Sequence, residues 1–163
     1  MTQVNMIVAA DLCNAIGCRG GIPWHIPEDF RYFKRTTLGH TVIMGYMTWV
    51  SLGSKPLPGR RNIIISLQPA ETGYPEAIMV HTLEEALKAA EGEVFIIGGG
   101  YTYREALPLA SHIYLTRVHT KVAEADTYFP ELPETQWRIA SRSEMGHDEK
   151  SGLDYEFLVY ERI

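Results

Sequence analysis

Apolar runs recur along the chain, cut by glycine, proline and short polar clusters. Met6 to Ala10 is the longest uninterrupted run, and Val4 to Ala10 around it reads as a strand buried on both faces. Thr41 to Met44, Asn62 to Ser66, Ala77 to Val80, Val94 to Ile97 and Ile113 to Val118 read the same way. Helical patterns lie between several of them. Thr82-Leu83-Glu84-Glu85 forms a capping box, with Leu83, Ala86, Leu87 and Ala90 at helical spacing. Pro27 suits the first turn of another helix, which runs to about Leu38 and is stopped by Gly39. In the tail, Trp137 to Glu144 and Asp154 to Glu161 read as strands around a polar turn at Gly146 to Gly152, which predicts a hairpin. The pattern as a whole predicts an α/β fold: a mixed, mostly parallel sheet flanked by helices, with an antiparallel C-terminal hairpin. Such sheets bind ligands at the carboxyl ends of their strands.

Composition narrows the class. The chain has 163 residues, 45% hydrophobic and 21% charged, which suits one domain over residues 1–163 and is too short for two. No repeat or linker divides it, no apolar run could span a bilayer, and no basic-then-apolar leader is evident. Cys13 and Cys18 read as free thiols of a reducing, cytoplasmic compartment. The net charge of -5 gives no electrostatic footprint for nucleic acid, so an anionic ligand needs a local basic patch. The six histidines show no metal spacing, and no metal is expected.

Three constellations could carry chemistry. Gly98-Gly99-Gly100-Tyr101-Thr102-Tyr103 follows an apolar strand and precedes a helical stretch at Arg104 to Leu107. Glycines let a backbone approach a ligand closely, and a phosphate seat and a bare tight turn are about equally supported there. The strand ending at Met44-Gly45, with Thr48 opening a short helix, is a second such seat, and the two together suit a pyrophosphate. In Gly21-Ile22-Pro23-Trp24-His25-Ile26-Pro27-Glu28-Asp29-Phe30, Glu28 complements a helix terminus. Asp29 shares a face with Phe33 beside Phe30, where a carboxylate is costly unless a polar ligand meets it. The terminus lowers its pKa and burial raises it, and the balance is open at this point. Lys55-Pro56-Leu57-Pro58-Gly59-Arg60-Arg61 is a stiff basic turn. Such clusters are most often solvated surface, yet arginine forks pair well with carboxylates. Cys18, with Gly17, Gly20 and Gly21 around it, reads as part of a mobile loop.

Taken in order, these residues resemble the bacterial dihydrofolate reductases. The likeness is carried by Asn14-Ala15-Ile16-Gly17, the segment Pro23 to Phe30, Val42-Ile43-Met44-Gly45, Thr48-Trp49, Pro56-Leu57-Pro58-Gly59-Arg60, Ile97-Gly98-Gly99-Gly100 and Asp126-Thr127-Tyr128-Phe129-Pro130. It implies an eight-stranded sheet, NADPH as cofactor with NADH as a weaker donor, and a folate substrate reduced at C6 and protonated at N5. It implies that Asp29, Trp24 and Tyr103 serve catalysis, Asp29 by binding the pterin edge with help from Thr116, and Trp24 by ordering a water. Ile7, Val8, Phe30, Phe33, Leu52, Leu57 and Ile97 would line an apolar slot, with Arg60 and nearby Lys55 on the glutamate tail. Ala9, Ile16, Gly17, Gly45, Tyr46, Met47, Thr48, Ser66, Leu67 and His81 would face the cofactor, together with Gly98, Gly99, Gly100, Tyr101, Thr102 and Tyr103. Gly98-Gly99 resembles the family's cis peptide, and Cys18 to Ile22, including Gly20, Gly21 and Ile22, its lid. The resemblance further implies antifolate binding and a monomer, with neither nucleic acid nor membrane as partner.

Some positions depart from the family pattern. Tyr46 and Tyr101 stand where arginines are frequent, and Leu67 where a serine is, leaving His81 as the nearest basic candidate for a 2′-phosphate. Ala125 replaces a frequent glycine, and Ser54 is an extra residue in its turn. Two alternatives accompany this reading: a pterin or pyrimidine reductase of the same fold, and a folate-binding protein without turnover.

Overall fold

A computed structural model of the chain describes residues 3–17 and 23–163. In order, its elements are β1 (Gln3–Ala10), β2 (Ala15–Gly17), α1 (Pro27–Thr37), β3 (Thr41–Gly45), α2 (Tyr46–Ser51), β4 (Arg61–Ile65), β5 (Ala77–Val80), α3 (Leu83–Ala89), β6 (Glu93–Gly98), α4 (Gly100–Ala106), a 3₁₀ turn (Leu107–Leu109), β7 (His112–Val118), β8 (Thr127–Tyr128), β9 (Trp137–Arg142), β10 (Gly146–Asp148) and β11 (Leu153–Arg162). The main sheet runs β10-β11-β7-β1-β6-β3-β4-β5, with β9 also on β11, while β2 and β8 form a small separate pair. β1, β3, β4, β5, β6 and β7 are mutually parallel and β11 is antiparallel to β7. β9 pairs with Leu158 to Arg162 of β11, and β10 with Leu153 to Tyr155. The two therefore lie end to end on one edge, giving eight strand positions from nine strands, as expected for a mixed, mostly parallel sheet.

Continuous apolar runs conceal a period of two because both faces are covered. Val4, Met6, Val8 and Ala10 pack with Leu83 and Ala86 of α3 and Ala106 of α4, whereas Ile7 packs with Val42, Met44 and Phe95, against Tyr32 and Phe33 of α1. Asn5 interrupts the first run, and its fully buried amide donates to Glu93 Oε1 at 2.8 Å. The capping box at α3 forms: Thr82 Oγ1 accepts from the Glu85 backbone N–H at 3.1 Å. Glu85 reaches one residue further back than the motif predicts, accepting from the His81 N–H at 2.9 Å.

Three boundaries differ from expectation. α4 begins at Gly100 rather than Arg104, and α2 at Tyr46 rather than Thr48. In both, glycine at the N-cap masked the helix start. In the tail, Gly146 to Asp148 pair as a strand, confining the turn to residues 149–152. Gly146 is there because a Cβ would stand 2.5 Å from Cζ of Tyr155, so this glycine serves packing rather than turning. Among the described residues no helix is long and apolar enough to cross a membrane.

Candidate active site

The carboxyl ends of β1 and β7 meet the first turn of α1. Ile26 and Trp24, just before that turn, are buried with Val118 and Tyr155, and Ala9 packs against them. Pairing of Ala9 with Thr116 brings the threonine beneath the helix start, and its hydroxyl donates to Asp29 Oδ1 at 2.7 Å. Burial raises the Asp29 carboxyl above the ordinary carboxylate range, and the Thr116 bond, which acts the other way, only moderates the shift. That settles the balance the sequence left open. Its neighbour Glu28 has the opposite fate: Arg31, at 2.9 Å, and Arg35, at 3.4 Å, hold its carboxyl below the usual value, with Arg31 the larger influence.

Ile7, Phe33, Leu57 and Ile97 share one apolar cluster, while Phe30 and Leu52 are exposed. Val8 corrects the expectation, because its side chain packs on the opposite face with Met6 and Leu115. Alternation along β1 leaves only its backbone on the Ile7 side. Trp24 is 8% exposed, and its indole N–H is buried without a hydrogen-bond partner among the described residues. A donor left this way points to a polar group supplied from outside the chain. Tyr103 is buried, and its hydroxyl donates to the Ile7 carbonyl at 2.8 Å. Burial first, and the Asp29 charge second, push its phenol upward, so it stays neutral.

The basic turn is not uniform surface. Lys55 and Arg61 are exposed, but Arg60 is only 7% exposed. Its Nε donates to Pro58 O at 2.9 Å and its Nη1 to Thr37 Oγ1 at 3.1 Å.

A second region joins the ends of β3 and β6. Gly98-Gly99 is a cis peptide, as expected. A Cβ on Gly98 would lie 3.3 Å from Thr48 Oγ1, one on Gly99 3.5 Å from the same atom, and one on Gly45 2.9 Å from Thr102 Oγ1. These glycines thus form a backbone floor edged by two threonine hydroxyls. At Gly45 and Gly98 the space a side chain would take is filled by the chain's own Thr102 and Thr48 hydroxyls.

Residues 3–162 match the family profile described as Dihydrofolate reductase. The chain belongs to the dihydrofolate reductase family. It is 46% identical over 162 residues to the dihydrofolate reductase of Neisseria gonorrhoeae, covering 98% of each chain. It is 42% identical over 172 residues to that of Mycobacterium tuberculosis, covering 99% of each. With that of Bacillus subtilis it shares 38% over 162 residues, covering 98% of this chain and 95% of the relative.

The dihydrofolate reductase family uses a nicotinamide cofactor, and the glycine floor fits one. Around it, Tyr46, Met47, Leu67 and Tyr101 are 47%, 74%, 87% and 71% exposed, an uncharged rim at the ends of three adjacent strands. Ser66 is buried, with its hydroxyl accepting from the Gln68 N–H. His81 is exposed beside the Glu85 carboxylate that holds its backbone N–H. Gly17 lies in β2 against Thr127, and Ile16 packs on the core. The expected lid, Cys18 to Ile22 with Gly20 and Gly21, lies outside the described residues.

The sequence reading did not single out four residues that shape the site. Asp11, 1% exposed, accepts the N–H groups of Cys13, Ala15 and Val122, each at 2.8 Å. Thr37 and Asn62 are fully buried around Arg60. Arg104 brings Nη1 to 3.7 Å from where a Gly100 Cβ would stand. A polar residue closing an apolar run was the available signal for Asp11, and one opening a run the signal for Asn62.

Proposed function

We propose that this chain reduces 7,8-dihydrofolate to 5,6,7,8-tetrahydrofolate with NADPH as donor, adding hydride at C6 and a proton at N5, and so supplies one-carbon metabolism. The observation that carries this reading is the Asp29–Thr116 bond on an apolar, half-buried face. Thr116 occupies one lone pair of Oδ1, and the remaining carboxylate lone pairs accept from the pterin 2-amino group and N3. Two parallel donors on a flat heterocycle match a carboxylate edge, while Ile7, Phe33, Leu57 and Ile97 cover its apolar faces.

The raised carboxyl of Asp29 suits it to favour proton delivery toward N5, since it holds a proton to higher pH than a solvated aspartate. The unpartnered Trp24 N–H orders a water beside the pterin. Tyr103, committed to the Ile7 carbonyl and kept neutral, positions rather than transfers protons. When bound, the nicotinamide supplies the hydride. Gly45, Gly98, Gly99 and Gly100, with Thr48, Thr102 and Ile16, hold the dinucleotide, while Tyr46, Leu67 and Tyr101 flank its adenosine end. Because that rim is uncharged, the preference for NADPH over NADH is narrow. Arg60, with Lys55 nearby, receives the glutamate carboxylate. The protein acts as a single domain and a monomer of the cytoplasm, and antifolates bind at Asp29.

The test is loss of reduced-nicotinamide absorbance on adding dihydrofolate. Turnover with dihydrofolate but not with an aminopyrimidine ribityl substrate is the expected result. Tight dihydrofolate binding without turnover would instead favour a binding protein.

A further inference from the structure

Arg60 is the only arginine among the described residues that is buried. Arg31, Arg35, Arg138 and Arg142 each face a carboxylate within 3.4 Å. Arg60 has two neutral partners instead, the Pro58 carbonyl and the Thr37 hydroxyl, and among the described residues it joins no ion pair. A cation enclosed by neutral acceptors retains its demand for a counter-charge.

The partners also fix its plane. Thr37, the last residue of α1, donates its hydroxyl proton to the Phe33 carbonyl at 2.8 Å. With that proton committed, the hydroxyl can only accept from Arg60 Nη1. The bonds at Nε and Nη1 together stop the planar guanidinium from rotating. The turn that carries it is equally constrained. Asn62 Oδ1 accepts from the Leu57 N–H at 2.9 Å, and its Nδ2 donates to the carbonyls of Leu57 and Arg60 at 3.1 and 2.9 Å. Gly39 N–H bonds the Gly59 carbonyl at 2.9 Å, tying the turn to the end of α1.

We propose that Thr37 is a positioning residue for substrate binding: its hydroxyl sets the plane of the Arg60 fork so that the unused N–H groups meet the carboxylate of the folate tail, while Asn62 holds the turn in place. The proposal rests on the reading of Arg60 as the tail-carboxylate site. It places substrate affinity partly in a threonine that never touches the substrate.

The test is steady-state kinetics with dihydrofolate and with 6-methyl-7,8-dihydropterin, which lacks the tail. Thr37→Val, nearly isosteric, removes the hydroxyl, and Thr37→Ala removes it without putting a methyl in its place. Both should raise KM for dihydrofolate about tenfold, as expected for losing a hydrogen bond to a charged group. They should leave kcat and the tail-less substrate unchanged, and Thr37→Ser should restore KM to within about twofold. In an Arg60→Ala background, Thr37→Val should cost nothing further. Arg60→Lys, which keeps the charge but loses the fork, should raise KM nearly as much as Arg60→Ala.

An unchanged dihydrofolate KM in folded Thr37→Val, equal losses on both substrates, or additivity with Arg60→Ala overturns the positioning role. Full function in Arg60→Lys overturns it even if the Thr37 variants fail to fold. If Arg60→Ala itself leaves KM for dihydrofolate unchanged, the tail-site reading fails, a result distinct from failure of Thr37 alone.

Discussion

The two halves of the proposed site offer a ligand different physics. On the substrate side, charges sit in enclosed surroundings: Asp29 in the first turn of α1 with Thr116 beneath it, and Arg60 beside Thr37. Each is oriented by a specific hydrogen bond, and low polarity nearby strengthens whatever it binds. On the cofactor side the floor is glycine backbone, and the rim of Tyr46, Leu67 and Tyr101 is exposed and uncharged. Enclosed charges select one partner sharply, whereas backbone and aromatic surface accept a shape with little regard for its charge. Substitutions on the first side should therefore cost far more than those on the second.

The largest effect belongs to Asp29→Asn. Its kcat/KM at pH 7 should fall by roughly 10²- to 10³-fold, within the range of lost acid–base assistance, and recover in part at low pH. Glu28→Gln, which only releases exposed arginines, should keep turnover; the reverse pattern would exchange the roles of the two acids. Stability should move the opposite way. The folded Asp29 carboxyl is raised, so its favourable contribution is full below the unfolded pKa and is lost as pH rises through the folded pKa. Asp29→Asn should accordingly melt higher than the parent near pH 7, with the difference closing toward pH 3. Thermal melts across that interval measure this directly.

Arg60→Ala comes next. Truncating one partner of a desolvated, hydrogen-bonded charge pair costs on the order of 2–5 kcal/mol, so KM for dihydrofolate should rise by about thirtyfold or more, with a much smaller change in kcat. Comparable losses with a tail-less pterin would remove Arg60 from tail binding.

On the cofactor side, Gly45→Ala forces a Cβ to 2.9 Å from the buried Thr102 hydroxyl and should weaken dinucleotide binding by about tenfold. Dihydrofolate affinity, read by fluorescence quenching without cofactor, should hold. Unaltered dinucleotide affinity would mean that the glycine floor is not the contact surface.

Tyr46→Arg should have the smallest effect. The 2′-phosphate carries about -1.5 to -2 charges, and an arginine on the rim should tighten NADPH by roughly three- to tenfold, leave NADH unchanged and add salt dependence. If the parent already prefers NADPH a thousandfold by calorimetry, a cation such as Arg104 reads the phosphate.

Much of this was legible along the chain. The six parallel strands announced themselves as apolar runs because a sheet covered on both faces needs them, and Pro27 and Thr82 marked helix starts by their backbone chemistry. Asp29 could be separated from Glu28 by helical spacing alone. Glycine was the ambiguous symbol: at Gly99 it hid a helix start and at Gly146 a packing contact, because one residue type serves turns, caps and close approaches alike.

The chain's local pattern thus determined the main elements, their order and the α/β class, and marked Asp29, the glycine run and the basic turn as candidates, since periodicity and capping depend on neighbours in sequence. Only the tertiary structure decided which way the Asp29 carboxyl shifts, that Val8 turns its side chain from the slot, and that Arg60 is caged rather than solvated. Each of these depends on a residue far along the chain or on sheet pairing: Thr116 is 87 positions from Asp29, and Thr37 is 23 from Arg60. Burial and hydrogen-bond partners arise from packing, which local sequence pattern does not encode.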